Sequence, residues 1–275
     1  MSEHTELIPC REFPTLRGFV NLLRKENRAW WGTRRWWINA LTWPVILCGL
    51  LANILFVPTI ASLATESDIA RAGSVDAHIL SMGLSVFFEF GVTALAIGAV
   101  ILAQDQIIGE KQNGVAEWLL SKPITRRAFL LAKLAANLIP MALFMIGLPA
   151  ALAYVLLSIR AEAAFPAGNF LAGTGIMALH TLFYLSLTLM LGILFNNRGT
   201  ILAISLGSIL GGNLIAGLIK PLLYITPWIL PKYASLAASG QTFPPQLGAA
   251  PLFAGVIGAG VFIIIGLVGL ERSEY

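Results

Sequence analysis

The chain has 275 residues, of which 57% are hydrophobic and only 12% charged, with a formal net charge of +4 and a mean hydropathy of +0.80. A soluble domain carries about 25% charged residues, so this composition leaves too little polar surface for a water-exposed fold. It excludes a soluble α/β enzyme and points to helices in lipid, where every backbone polar group must be paired within its own segment.

A long charged segment precedes the first apolar run. From Leu16, the residues Phe19, Val20, Leu23 and Trp30 fall on one helical face, and Arg17, Arg24, Arg28 and Arg35 form a stripe beside it. That pattern predicts an amphipathic helix lying along the inner leaflet with its arginines near anionic headgroups. Trp30, Trp31, Trp36 and Trp37 mark the turn into the bilayer, since indole rings favour the interface. The segment is too long for the n-region of a cleaved signal, so the first span is expected to be retained.

Six apolar spans follow, at about 37–60, 79–102, 128–159, 170–195, 200–219 and 251–270. Each reaches or exceeds the roughly 20 residues that cross a hydrocarbon core of about 30 Å. Pro44, Pro58, Pro140 and Pro149 lie within them and predict kinks. The third span is longer than a bilayer needs, so its first turns project outward with Lys133 near the surface. Fourteen lysines and arginines fall on the side of the N-terminus and four on the other. The positive-inside preference therefore puts both termini in the cytosol. The pI of about 9.3 reports a membrane-facing basic rim, and no nucleic-acid partner is expected.

The expected fold is all-α and polytopic: six transmembrane helices behind an amphipathic interfacial helix. Residues 1–36 form the cytosolic tail and interfacial helix. Residues 37–275 form the transmembrane domain, with a cytosolic loop at 103–127 and a semi-apolar outer segment at 220–250. That outer segment suits a short re-entrant or surface helix. Cys10 lies in the tail and Cys48 in the first span, so no disulfide is expected. Two small-residue faces, Gly207 with Gly211 and Gly255 with Ala259 and Gly266, suit either a seam between chains or packing inside the bundle.

Enzyme signatures are missing. The chain has no phosphate loop, no H-E-x-x-H, no C-x-x-C and no G-x-S-x-G. His4, His78 and His180 are too scattered for a metal site. One intramembrane charge stands out, Glu89 in the second span. It lies about 22 Å along the helix from Gln104 at 1.5 Å per residue, where an ionisable group must face protein or a wet cavity. Glu89 is a candidate polar contact on a substrate path, with His180 as a possible partner. The alternative is a protonated or hydrogen-bonded Glu tied to a neighbouring helix, or one close enough to the outer surface to reach water.

The loop between the second and third spans is the densest polar stretch. Gly109 and Gly114 bracket a predicted polar turn. A short helix over 115–120 carries Trp118, Leu119 and Leu120 as an apolar knob, and Pro123 ends it. Thr125 is placed to cap the third span, and Arg126 and Arg127 then oppose that helix's dipole. Such a knob either docks a soluble protein or folds back on the bilayer or on the chain's own helix ends.

Along this loop Glu110, Gly114, Leu119, Leu120, Pro123, Arg126 and Lys133 hold, at matching spacing, places that resemble the cytosolic loop of ABC-2 type permeases. The match departs at Val115, where the family usually has Thr, and at Ala132, where Gly is common. The resemblance implies a membrane subunit of an ABC exporter in a prokaryotic plasma (inner) membrane. It implies pairing with a second permease chain and with separate ATPase subunits. This chain would bind no cofactor; the ATPases would bind ATP and magnesium. The loop would be the coupling helix, with Trp118, Leu119 and Leu120 in an ATPase pocket and Glu110 and Glu117 at its rim. A membrane-embedded enzyme using Glu89 or His180, and a non-transporting anchor for an ATPase, are the alternatives.

Overall fold

The computed structural model describes residues 16–61, 65–115, 118, 121, 124–241, 243 and 248–272. Among them all regular structure is helical. Helix α1 spans Phe19–Trp31, and α2, Arg35–Phe56, begins after three intervening residues. Gly18 starts α1 at φ +85° with Ile124 packed 3.0 Å from where a Cβ would stand. A side chain there would meet both a left-handed backbone and a neighbour. Helix α2 stops at Val57, which is extended because Pro58 follows and disfavours helical backbone before it.

Side-chain caps set the next starts. Thr65 opens α3, Glu66–Ala72, through a capping box with Asp68. Ser74 accepts from Ala77 N at the start of α4, Val75–Ala103. Helix α5, Asp105–Gln112, continues α4 almost without interruption, so Gly109 lies inside a helix. The expected turn there is corrected: the backbone ladder runs on to Gln112, and only Gly114, at φ +68°, makes a left-handed turn.

Helix α6, Arg126–Pro140, opens on the predicted Thr125 cap, whose hydroxyl accepts from Ala128 N. After Pro140 the chain widens into a π-helical turn, Met141–Gly147. It then resumes as α7, Leu148–Arg160. Leu148 N donates to Leu143 O, five residues back. The wider register suits a stretch in which Pro149 has no N–H to give. Helices α8, Ala167–Leu194, and α9, Arg198–Leu218, follow. Asn197 caps α9 by accepting from Gly199 N. The segment expected to be semi-apolar holds α10, Lys220–Ile225, and α11, Leu230–Ser239. Helix α12, Ala250–Arg272, completes the order.

Among the described residues, five helical stretches are long and apolar enough to cross a membrane: Arg35–Phe56, Val75–Gln112, Arg126–Arg160, Ala167–Leu194 and Ala250–Arg272. Six spans are expected from the sequence. The fifth of them, expected at about 200–219, falls in α9, where the described apolar stretch Arg198–Gly212 is shorter than a span.

Helix α8 is the most enclosed of the five and organises the core. Phe170 on α8 meets Phe88 and Phe87 of α4 at ring separations of 5.4 and 6.2 Å. Helix α11 folds back against both. Gly173 of α8 leaves room for Ala234 O, 2.7 Å from the position of a Cβ, and Ser235 Oγ lies 3.2 Å from Ser85 Oγ. Small residues thus let three backbones approach, which is how helices gain packing energy in an apolar medium.

Candidate functional site

Three elements meet where α4 and α5 lead to the polar loop. Helix α1 brings Lys25, Glu26 and Trp30. Helix α5 brings Gln106 and Glu110. Helix α6 brings Lys133 and Asn137. The Lys133 side chain is only 2% exposed. Its Nζ lies 2.9 Å from Glu26 Oε1 and 2.9 Å from Glu110 Oε2, and 5.0 Å from the Phe129 ring centroid. Lys25 also pairs with Glu110. The expected place of Lys133 near the membrane surface concerns its depth; within the chain its side chain is enclosed by protein rather than open to water. Two carboxylates enclose it, and a buried charge persists only when so paired.

Amides extend the cluster. Asn137 Nδ2 donates to Gln106 Oε1 at 2.6 Å, and Gln106 Nε2 donates to Asn137 Oδ1 at 2.7 Å. Trp30 Nε1 also donates to Asn137 Oδ1, at 3.0 Å. A cavity of about 230 Å³ adjoins these groups, with Arg35 and Asp105 also on its wall. Of these residues the sequence pointed to Glu110, Arg35, Lys133 and, as an interfacial ring only, Trp30, but not to Lys25, Glu26, Gln106 or Asn137. The available signal was Lys133 itself, a cation in an apolar helix that had to have a partner.

Other cations of this region tie down helix ends. Lys111 Nζ reaches Ile193 O at the end of α8, and Asn196 Oδ1 at 3.3 Å. Arg126 Nη1 donates to Leu270 O and Glu271 O, at 2.8 and 2.6 Å, at the end of α12. Arg127 Nε meets Glu271 Oε1 at 3.1 Å. Arg198 pairs with Asp105 at 2.5 Å. Arg126 opposes the dipole of its own helix but complements that of α12, whose C-terminal carbonyls favour a cation. The start of α1 joins the same end, where Thr125 N donates to Arg17 O at 3.1 Å.

Trp118 stands 61% exposed beyond this frame, and Ser121 Oγ donates to its carbonyl at 2.8 Å. Glu117, Leu119, Leu120 and Pro123 lie outside the described residues. Arg17, Arg24, Arg28 and Arg35 are all exposed. Glu89 and His180 are not brought together. Glu89 is exposed on α4 beside exposed Phe90, whereas His180 is buried in α8, its ring 4.9 Å from that of Tyr184. Among the described residues no side chain pairs with the Glu89 carboxylate, and no group of three or more His, Cys, Asp or Glu could hold a metal.

The frame matches a known family over most of its length: the profile described as ABC-2 family transporter protein covers residues 20–272. The chain belongs to the ABC-2 transporter family. No curated protein matches it. As an ABC-2 permease it is the transmembrane component of an ABC transporter and not itself the ATPase. The matched region begins inside α1 and ends with α12, so it includes the ion cluster and the polar loop.

Proposed function

We propose that this permease is the membrane subunit of an ATP-driven exporter, energised by separate ABC ATPases that dock on the 110–123 loop. The carrying observation is the exposed Trp118 on a loop whose two ends are fastened to α1, α6, α8 and α12. A push on such a loop is passed to several spans at once, as a rigid-body switch requires. On this reading Trp118, Leu119 and Leu120 fill an ATPase pocket and Glu117 meets its rim. Glu110 serves from within, holding the loop to Lys25 and Lys133. The ATPases bind ATP and magnesium, and the termini, α1 and the loop lie in the cytosol of a prokaryotic cell.

The permease works as a pair with a second permease chain. Supporting this, Gly207 and Gly211 on α9 have open space around them, and Glu89 on α4 faces out of the chain. A carboxylate at that depth is costly against lipid. A neighbouring chain gives it a wet or polar surrounding on the substrate path. The enzyme alternative finds less support, because His180 and Glu89 do not converge.

Coupling is tested by Trp118→Asp and Glu117→Arg in the reconstituted complex. Both should insert normally and lose transport-linked ATP hydrolysis; normal coupled hydrolysis in both would sink the docking assignment. For the path, Glu89→Gln should change transport or its pH dependence. Transport untouched at every pH would remove Glu89 from it.

A further inference from the structure

Helix α1 has two faces. One is turned inward: Leu22 and Trp30 are buried, and Glu26 meets Lys133. The other is open. A groove of about 360 Å³ runs along it, lined by Val20, Leu23, Arg24, Asn27, Arg28 and Trp31. Val20 is 54% exposed and Trp31 45%. At about 100° per residue Val20, Asn27 and Trp31 share one line along the helix, and Arg24 and Arg28 flank it on one side. The floor is apolar and the flank carries two guanidinium groups.

The groove's position is constrained. Only Gly32, Thr33 and Arg34 separate α1 from α2, the first membrane-length helix. Three residues reach about 10 Å at most, so the end of α1 is held at the bilayer surface. Exposed Trp36 and Trp37 on the first turn of α2 mark that level. A free phosphate would leave Val20 and Trp31 uncovered, and a neutral lipid would leave two arginines without an anion. An anionic phospholipid supplies both an acyl chain for the floor and a charge for the flank.

We propose that this groove binds an anionic phospholipid and that its occupancy is passed through α1 to the loop after Gln112. Lys25 and Glu26 directly follow Arg24, and they hold Glu110 and Lys133. A shift of α1 must carry Lys133, and with it Glu110, or separate the buried Glu26–Lys133 pair. The lipid thereby sets the loop's resting position. This rests on the cytosolic placement of α1 and the coupling role proposed above, but its test needs no ATPase. Failure of one is therefore distinguishable from failure of the other.

The full-length permease is placed in nanodiscs of phosphatidylcholine, with or without phosphatidylglycerol. Amide exchange over residues 105–124 is read together with the phosphatidylglycerol retained in native mass spectrometry. The wild type should retain phosphatidylglycerol and slow its exchange over 105–124. Arg24→Gln with Arg28→Gln should cut retention on the order of 25-fold, about fivefold per arginine, and abolish the exchange response. Lys25→Gln should keep the lipid and weaken the response, because Glu26 still reaches Glu110 through Lys133. Exchange indifferent to phosphatidylglycerol in the wild type, or unchanged retention in the double variant, would overturn the site. A full response in Lys25→Gln would overturn the relay.

Discussion

Lys133 concentrates the physics of this protein in one side chain. An unpaired ammonium in an apolar helix would cost several kcal/mol. Here two carboxylates from different elements face it. Lys133→Met should leave Glu26 and Glu110 close together without their cation and cost about 3–5 kcal/mol, as breaking a buried pair does. Equilibrium unfolding in detergent micelles measures this, and unchanged stability would show the cluster to be unimportant. Lys25 is the contrast. Its side chain is 42% exposed, and Lys25→Ala should cost at most about 1 kcal/mol in the same assay. The cluster was only half legible in the sequence. Lys133 announces itself as a lone charge, but Glu26 lies 107 positions away, and no local pattern links the two. The Thr125 cap, by contrast, was legible because its partner is three residues on.

At the scale of elements, two faces that look alike in sequence behave differently. Gly255 packs against Leu230 and Leu179, Gly266 against Leu130 and Ile193, and Ala259 is buried. That face is spent inside the bundle. Gly207 and Gly211 have nothing within 4 Å of where a Cβ would stand, while the adjacent Gly212 packs on Trp228. Gly207→Leu with Gly211→Leu should therefore leave the folded chain intact and weaken its pairing, read as fewer paired chains by photobleaching of single nanodiscs. Unaltered pairing would place the seam elsewhere. Gly98→Ala is the opposite case, since its Cβ would sit 2.2 Å from Trp43 Cζ2. It should cost about 1–3 kcal/mol through overpacking. Periodicity could show that α1 is amphipathic, yet it grouped Trp30 with Val20. The structure buries Trp30 and exposes Val20, because α1 has protein on one side and an open apolar groove on another. Likewise the prolines signalled a disturbance in the third span, while the π-helical turn after Pro140 depended on how the surrounding helices pack.

Over the whole molecule, the basic rim is more than a topological label. Lys111, Arg126 and Lys133 each cross to another helix, two of them to C-terminal carbonyls. Arg160 does the same away from the loop, where its Nε donates to Leu55 O at 3.1 Å and its guanidinium pairs with Asp76. Charge thus binds helix ends that apolar packing alone would leave free to slide. The hydropathy of the chain made its membrane character legible from composition. The convergence of helix ends on the loop was not, because it is made by pairs distant in sequence. The central claim is that an ABC ATPase docks on that loop. The permease should be purified gently from its native membranes, as wild type and as Trp118→Asp, and assayed for a bound ATPase of ABC type. The account predicts an ATPase with the wild type and its loss from the variant, weakened on the order of 30-fold or more as for a central aromatic anchor. An ATPase absent from the wild type, or bound equally by both, would contradict it.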